Sequence, residues 1–293
     1  MSERPHCQAL DDVLGREFPV LDHGFVRVVD YMGGDDSVVQ AARVSYGKGT
    51  KGVRDDRALI RYLLSHGHTT PFEMAELKLH VKLPIFVARQ WIRHRTASVN
   101  EYSARYSVLD EEYYVPSGVA VAAQSTGNRQ GRGDALGDEA GREAIAIIKG
   151  NARRAYEDYL QLLNEDRVGA VIDKDRQGLA RELARSVLPV SYYTQWYWKI
   201  DLHNLLRFLE LRLDAHAQFE IRQYASVIGE LVARWVPSTW GAFEEYRLGQ
   251  VGLSASAAAV VQAWIEGREV SRQDSGMPQR EWEALTARFG KGG

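Results

Sequence analysis

The stretch Arg93-His94-Arg95-Thr96-Ala97-Ser98-Val99-Asn100-Glu101-Tyr102-Ser103-Ala104-Arg105-Tyr106 carries the densest chemistry in the chain. On a helix, three consecutive basic side chains point about 100° apart and cannot share one solvated face. Read as cations, Arg93, His94 and Arg95 suit a segment that meets several negative groups at once. A string of phosphates is the natural counterpart. The ordinary alternative is a basic helix end, where Arg and His offset the carbonyl partial charges. Asn100, Glu101, Ser103 and Arg105 count against that alternative, because they add donors and acceptors with no packing role in the pattern.

A second polar cluster runs from Asp201 to Arg212. Leu205, Phe208, Leu209 and Leu211 read as core by spacing, while His203 and Arg207, four apart, share one face. Spacing alone makes that face a solvated one, and Arg185 is equally ambiguous. His66-Gly67-His68 offers two imidazoles without a third ligand at helical spacing, so no metal centre is expected there. Thr70 precedes Pro71 and is therefore held extended, which exposes its hydroxyl and backbone to a ligand. The chain has no Gly-x-Gly-x-x-Gly after a strand, no phosphate-binding loop ending in Gly-Lys-Ser/Thr and no Gly-x-Ser-x-Gly elbow. Ser103 has no evident neighbouring base and is read as a binding residue rather than a nucleophile.

The one cysteine, Cys7, excludes an internal disulfide and any multi-cysteine metal site. It lies among polar residues near the N-terminus, without the fixed electropositive setting that a catalytic thiolate needs. Net charge is −2 over 293 residues, so no global field draws the chain to a nucleic-acid polymer or an anionic membrane. The basic region is local and favours a small anionic ligand. Residues 1–7 have no apolar core for a signal peptide, and no apolar run is long enough to span a bilayer. A cytoplasmic protein is expected.

Several elements must position these groups. Alternation predicts a strand over Gly24–Tyr31 and another over Glu76–Leu83, whose Leu77, Leu79, Val81 and Leu83 face one way. Helices are predicted from Asp36 to about Tyr46-Gly47, and from about Asp55 to the His66-Gly67-His68 turn. Pro84 opens a further helix, with Ile85, Phe86, Ala88 and Ile92 as its apolar side, so the 93–106 signature starts at a helix end and runs into a loop. Residues 117–138, rich in Gly, Ser, Ala and Gln, read as a flexible insertion. A long helix over about 139–164, another over about 175–187, a strand over the aromatic run 192–198 and helices over 202–213, 216–235 and 239–246 complete the pattern. The tail from 247 holds two short helices, at about 254–266 and 278–288. Helices with few strands and no sustained βαβ alternation indicate an α+β fold: a helix-rich single domain around a small antiparallel or mixed sheet.

Arg93-His94-Arg95 with Ser98, Asn100-Glu101, Ser103 and Arg105 resembles the signature of the flavin-dependent thymidylate synthases. The resemblance continues in order through 66–73, Arg185-Ser186-Val187-Leu188-Pro189 and Leu211-Arg212-Leu213-Asp214-Ala215-His216-Ala217-Gln218. It covers residues 24–246, leaving 1–23 as an N-terminal and 247–293 as a C-terminal extension. The resemblance implies reductive methylation of deoxyuridylate (dUMP) to thymidylate (dTMP), with methylenetetrahydrofolate as carbon donor and FAD, reduced by NADPH, as hydride source. It also implies a homotetramer with sites shared between subunits. Thr70, Arg93, His94, Arg95, Glu101, Asp201, Leu202, His203 and Arg207 then fall at FAD-binding positions, with His68 near the flavin. Gln90, Arg93, Glu101, Ser103, Arg105, Arg185 and Arg212 fall at dUMP-binding positions, and Arg212 is the catalytic one. A Cys nucleophile is dispensable when a flavin carries the carbon chemistry. The competing readings are a nucleic-acid-binding module using 89–105 as a basic patch, and a flavin-binding protein without synthase activity.

Overall fold

Leu77, Leu79, Val81 and Leu83 are fully buried, and that row sets the architecture. In the computed structural model they lie on strand β3 (Glu76–Pro84), the middle of a five-stranded sheet ordered β1-β2-β3-β7-β4. The other strands are β1 (Glu17–Val20), β2 (Gly24–Met32), β4 (Ser98–Glu101) and β7 (Tyr193–Asp201). Every pairing is antiparallel, so the mixed option falls away. The structure describes residues 6–44, 56–103, 105–127 and 131–290. The predicted helix end at Tyr46-Gly47 and the start at Asp55 lie outside them.

Period-2 burial in β3 and β7 leaves one sheet face apolar, with Trp196, Trp198 and Ile200 of β7 beside the β3 row. Helices cover this face. Helix α7 (Leu202–Arg212) contributes Leu202, Leu205, Leu206, Phe208 and Leu209, whereas Leu211, expected in the core, lies off that stripe and is exposed. Helix α8 (Phe219–Trp235) contributes Ile221, Tyr224, Ala225, Ile228, Leu231, Val232 and Trp235, a three-four spacing that gives one continuous stripe. Around them pack α1 (Gln8–Asp11), α2 (Asp35–Val44), α3 (Asp56–Ser65) and α9 (Pro237–Phe243). Gly67, at φ +69°, makes the turn that stops α3, a conformation that costs a side-chain-bearing residue far more than glycine.

Helix α4 (Ile85–Trp91) departs from expectation. Its buried side is Val87, Ala88 and Trp91, while Ile92 is exposed. Pro84 is the N-cap rather than the first helical residue; of the expected stripe Ala88 is buried and Ile85 and Phe86 pack partly buried, but Trp91 turns inward in place of Ile92. Trp91 stacks on Phe208 (4.7 Å, 29°) and meets Trp198 edge-on at 5.1 Å. The signature that follows is not simply a loop, since Ser98–Glu101 pairs with β7 as an edge strand.

Residues 117–138 also hold more structure than their composition indicates: β5 (Ala122–Gln124) and β6 (Arg132–Ala135) pair as a hairpin. Helix α5 (Asp138–Leu163) then builds a second cluster from Ala152, Tyr156, Tyr159 and Leu163 against Ala184 and Tyr192. The helix expected over 175–187 shrinks to α6 (Arg181–Ala184) and a 3-10 turn at Arg185–Val187. Close approach explains part of this, because a Cβ at Gly178 would lie 1.8 Å from the Leu163 carbonyl oxygen.

The chain divides into two compact units, Met1–Arg247 and Leu248–Gly293. In the second, α10 (Ala255–Ile265), α11 (Arg272–Ser275) and α12 (Gln279–Phe289) enclose Ala257, Val260, Met277 and Leu285, with Trp264 against Trp282. Among the described residues no helix is long and apolar enough to cross a membrane, and no cluster of His, Cys, Asp and Glu is arranged to hold a metal ion.

Candidate active site

Two clefts collect much of the polar chemistry. The first, about 230 Å³, lies between the turn after α3 and the exposed side of α7 and is lined by His68, Thr69, His203, Arg207, Glu210 and Arg247. Thr70 adjoins it and is exposed, but it is the first residue of the 3-10 turn Thr70–Met74 rather than extended as the following proline suggests. His203 and Arg207 share this cleft because one helical turn separates them. Arg207 also pairs with Glu210 at 2.7 Å. His66 takes no part in the lining; its Nδ1 lies 2.9 Å from the Tyr62 carbonyl and its ring packs on Tyr62.

The second cleft, about 990 Å³, is lined by Gln90, Arg212, His216, Gln218, Arg222 and the β5–β6 hairpin, among others. Gln90 Oε1 is buried without a hydrogen-bond partner among the described residues. In a cleft, such an acceptor is open to a donor from water or a ligand. Arg212 stands at the last turn of α7, and burial lowers the pKa of its guanidinium. The hairpin is fastened to α8 by Arg132, which pairs with Glu220, a carboxylate only 2% exposed. Tyr114 Oη and Gln218 Nε2 also donate to Glu220, at 3.1 and 2.9 Å. Sequence reading missed Arg132, Glu220 and Arg222. The available signal was a carboxylate at Glu220 on the buried stripe of α8.

A hydrogen bond joins the signature to α7. Arg212 Nε donates to His94 Nε2 at 3.0 Å. Burial, then the charges of Arg212 and Arg207, push the His94 pKa down to about 4. His94 is therefore neutral near pH 7, which corrects the reading of three adjacent cations. The electrostatics of the segment come from Arg93 and Arg95, both exposed.

The remaining predicted residues spread over other surfaces. Glu101 is exposed on edge strand β4 and accepts from Thr194 Oγ1 at 2.7 Å. Ser103 is half-buried; its hydroxyl accepts weakly from the Arg105 amide at 3.4 Å. Arg105 and Arg185 are exposed and make no ion pair with a described residue. Asp201 caps α7, accepting from the Asn204 amide at 2.9 Å and Asn204 Nδ2 at 2.8 Å, so its carboxylate serves the helix end. Leu202 is fully buried and its amide donates to the Ala75 carbonyl, so its side chain belongs to the core and not to a cleft. Among the described residues, no single cleft gathers all the predicted ligands.

The donor set fits a phosphorylated ligand with a flat polar ring. Several guanidinium groups match phosphate oxygens, and Gln90 with Arg212 offers an amide and a cation to a ring edge. A family model described as thymidylate synthase complementing protein matches residues 27–238. A flavin-dependent thymidylate synthase of Gluconobacter oxydans is 56% identical over 287 residues, covering 98% of this chain and 92% of that protein. One from Rickettsia conorii is 54% identical over 290 residues, covering 99% of each. A UMP/dUMP methylase, PolB of Streptomyces cacaoi, solved with 5-Br dUMP, superposes with a TM-score of 0.67 at 31% identity, over 78% of this chain and 98% of that one. The chain belongs to the flavin-dependent thymidylate synthase family. The G. oxydans and R. conorii matches span nearly their whole length, so the segment after Arg247 has counterparts there.

Proposed function

We propose that the chain methylates dUMP at C5 to give dTMP, taking the carbon from methylenetetrahydrofolate. The observation that carries this reading is one cleft holding half-buried Arg212 beside the unpaired Gln90 acceptor. Gln90 pairs with the uracil edge. Arg212 faces negative charge developing on the N3/O4 side and so makes C5 more nucleophilic. Ser103, Arg105 and Arg185 hold the phosphate dianion by charge-assisted bonds. Arg93 and Glu101 serve both ligands. The FAD set comprises Thr70, Arg93, His94, Arg95, Glu101, His203 and Arg207, whose chemistry suits a pyrophosphate with hydroxyl-rich arms. Bound FAD, reduced by NADPH, supplies the hydride that turns the transferred methylene into a methyl group. We place the protein in the cytoplasm.

Purified protein is expected to be yellow, with a flavin spectrum that shifts on titration with dUMP. A colourless protein that takes up no added FAD, or a flavin spectrum indifferent to dUMP, would overturn the proposal. Bound nucleic acid in place of flavin would favour the basic-patch alternative.

We infer that the chain assembles as a homotetramer with sites shared between subunits. The exposed Arg105, Arg185, Arg93 and Arg95 make no ion pair with a described residue of the chain, and a homotetramer brings such surfaces together from different subunits. Sedimentation is expected to give a tetramer; a monomer that still turns over would rule out shared sites.

Cys7 is dispensable to this chemistry. It is more anchored than its polar neighbours indicate: its amide donates to Tyr31 Oη at 2.6 Å and its side chain packs against the core. Cys7→Ala is expected to keep full turnover, since the anchoring bond is made by the backbone. Any loss should be confined to stability, on the order of 1 kcal/mol. Abolished turnover in a variant that still folds and binds flavin would reinstate a thiol route.

A further inference from the structure

We propose that His94 is a positioning residue for Arg212: its unprotonated Nε2 accepts the Arg212 Nε–H and fixes the plane of the guanidinium that faces the pyrimidine. The inference rests on the function proposed above and gives His94 a role distinct from phosphate binding.

The contact has a defined polarity. Arginine carries five N–H donors and no acceptor, so a 3.0 Å approach of its Nε requires a lone pair on His94 Nε2. The imidazole must then carry its proton on Nδ1. The charged groups acting on the ring are Arg212 and Arg207, both of which oppose a second proton. Spending Nε–H on His94 leaves the two terminal nitrogens of Arg212 without a described partner, free for a ligand.

The ring is itself held in place. The His94 amide donates to the Trp91 carbonyl at 3.0 Å, which ties it to the end of α4. Its ring meets Phe208 edge-on at 5.0 Å, and Phe208 stacks on Trp91, both rings fully buried. This rigid aromatic support comes from α4 and α7 together. An apolar ring would satisfy the packing equally well; only the Nε2 lone pair accounts for the bond to Arg212. A free guanidinium rotates about its last side-chain bonds, and a fixed acceptor at Nε removes that freedom before substrate arrives, which is where pre-organisation lowers a barrier.

Three forms of the full-length, flavin-loaded protein test this: wild type, His94→Phe, which keeps a ring without an acceptor, and His94→Gln, which restores a neutral acceptor. Flavin content, the dUMP-induced flavin absorbance change and kcat per bound flavin are measured on each. His94→Phe is expected to bind dUMP within a few-fold of wild type while kcat per flavin drops about ten- to a hundredfold, the weight of one charge-assisted bond. His94→Gln should recover most of that loss. Full kcat per flavin in His94→Phe, or a His94→Gln no better than His94→Phe, overturns the inference. Inactive wild type would instead overturn the proposed function, so the two failures separate.

A pH readout on flavin-free protein supplies the second arm. A histidine with a free value near 6.5 and a folded value of about 4 binds fewer protons folded than unfolded in that window. Its stability contribution is thus complete above about pH 6.5 and is lost as pH falls through about 4. His94→Gln is expected to flatten that part of the Tm-versus-pH curve relative to wild type. Superimposable slopes would contradict a neutral His94 and with it the acceptor role.

Discussion

Replacing Arg212 by lysine is expected to leave dUMP bound and to cut turnover by about a hundredfold or more. Lysine keeps the charge but offers a single ammonium, losing both the planar fork and the Nε–H that His94 accepts. The phosphate anchoring proposed for Arg105 and Arg185 is untouched, so the dUMP titration of flavin absorbance should give nearly the wild-type affinity. Arg185→Ala should do the reverse, weakening dUMP while sparing kcat at saturation. Arg212 would be a plain anchor if Arg212→Lys lost affinity and kept full kcat.

The second large effect concerns the cofactor. Arg95→Ala is expected to weaken FAD retention by about ten- to a hundredfold, the equivalent of about 1.5–3 kcal/mol for a charge-assisted contact. Arg95 is exposed and makes no ion pair with a described residue, so removing it leaves no buried partner stranded and should not unfold the chain. Dialysis followed by flavin quantitation against total protein reads the effect. Retention equal to wild type would remove Arg95 from the FAD set.

Much of the scaffold was legible because it follows local rules. The alternation of Leu77, Leu79, Val81 and Leu83 marked the central strand, and the aromatic run before Asp201 marked its partner. Helix α7 could be read from Leu205, Phe208 and Leu209, since burial at helical spacing needs no distant information. Long-range effects were not legible. The phase of α4 is set by Trp91 meeting Trp198 and Phe208, residues more than a hundred positions away. The hairpin at 122–135 is fastened by Arg132 to a carboxylate on α8, a pairing that spacing does not encode. Among the site residues, the signature singled out Arg93, Arg95 and Glu101 as an unusual polar group, yet residue type misjudged His94. Its neutrality arises from burial and from two arginines on α7, brought near only by the fold. Asp201 and Leu202 show the converse: their sequence neighbours reach the clefts, while they themselves cap the helix and fill the core.

The most direct test of the central claim is tritium release from dUMP labelled at C5. Replacing the C5 hydrogen by a methyl group must release that hydrogen to solvent. With methylenetetrahydrofolate, NADPH and FAD all present, release is expected to match dTMP formed, and Arg212→Lys should slow both together. No release under those conditions, from flavin-loaded protein whose spectrum responds to dUMP, would contradict the account.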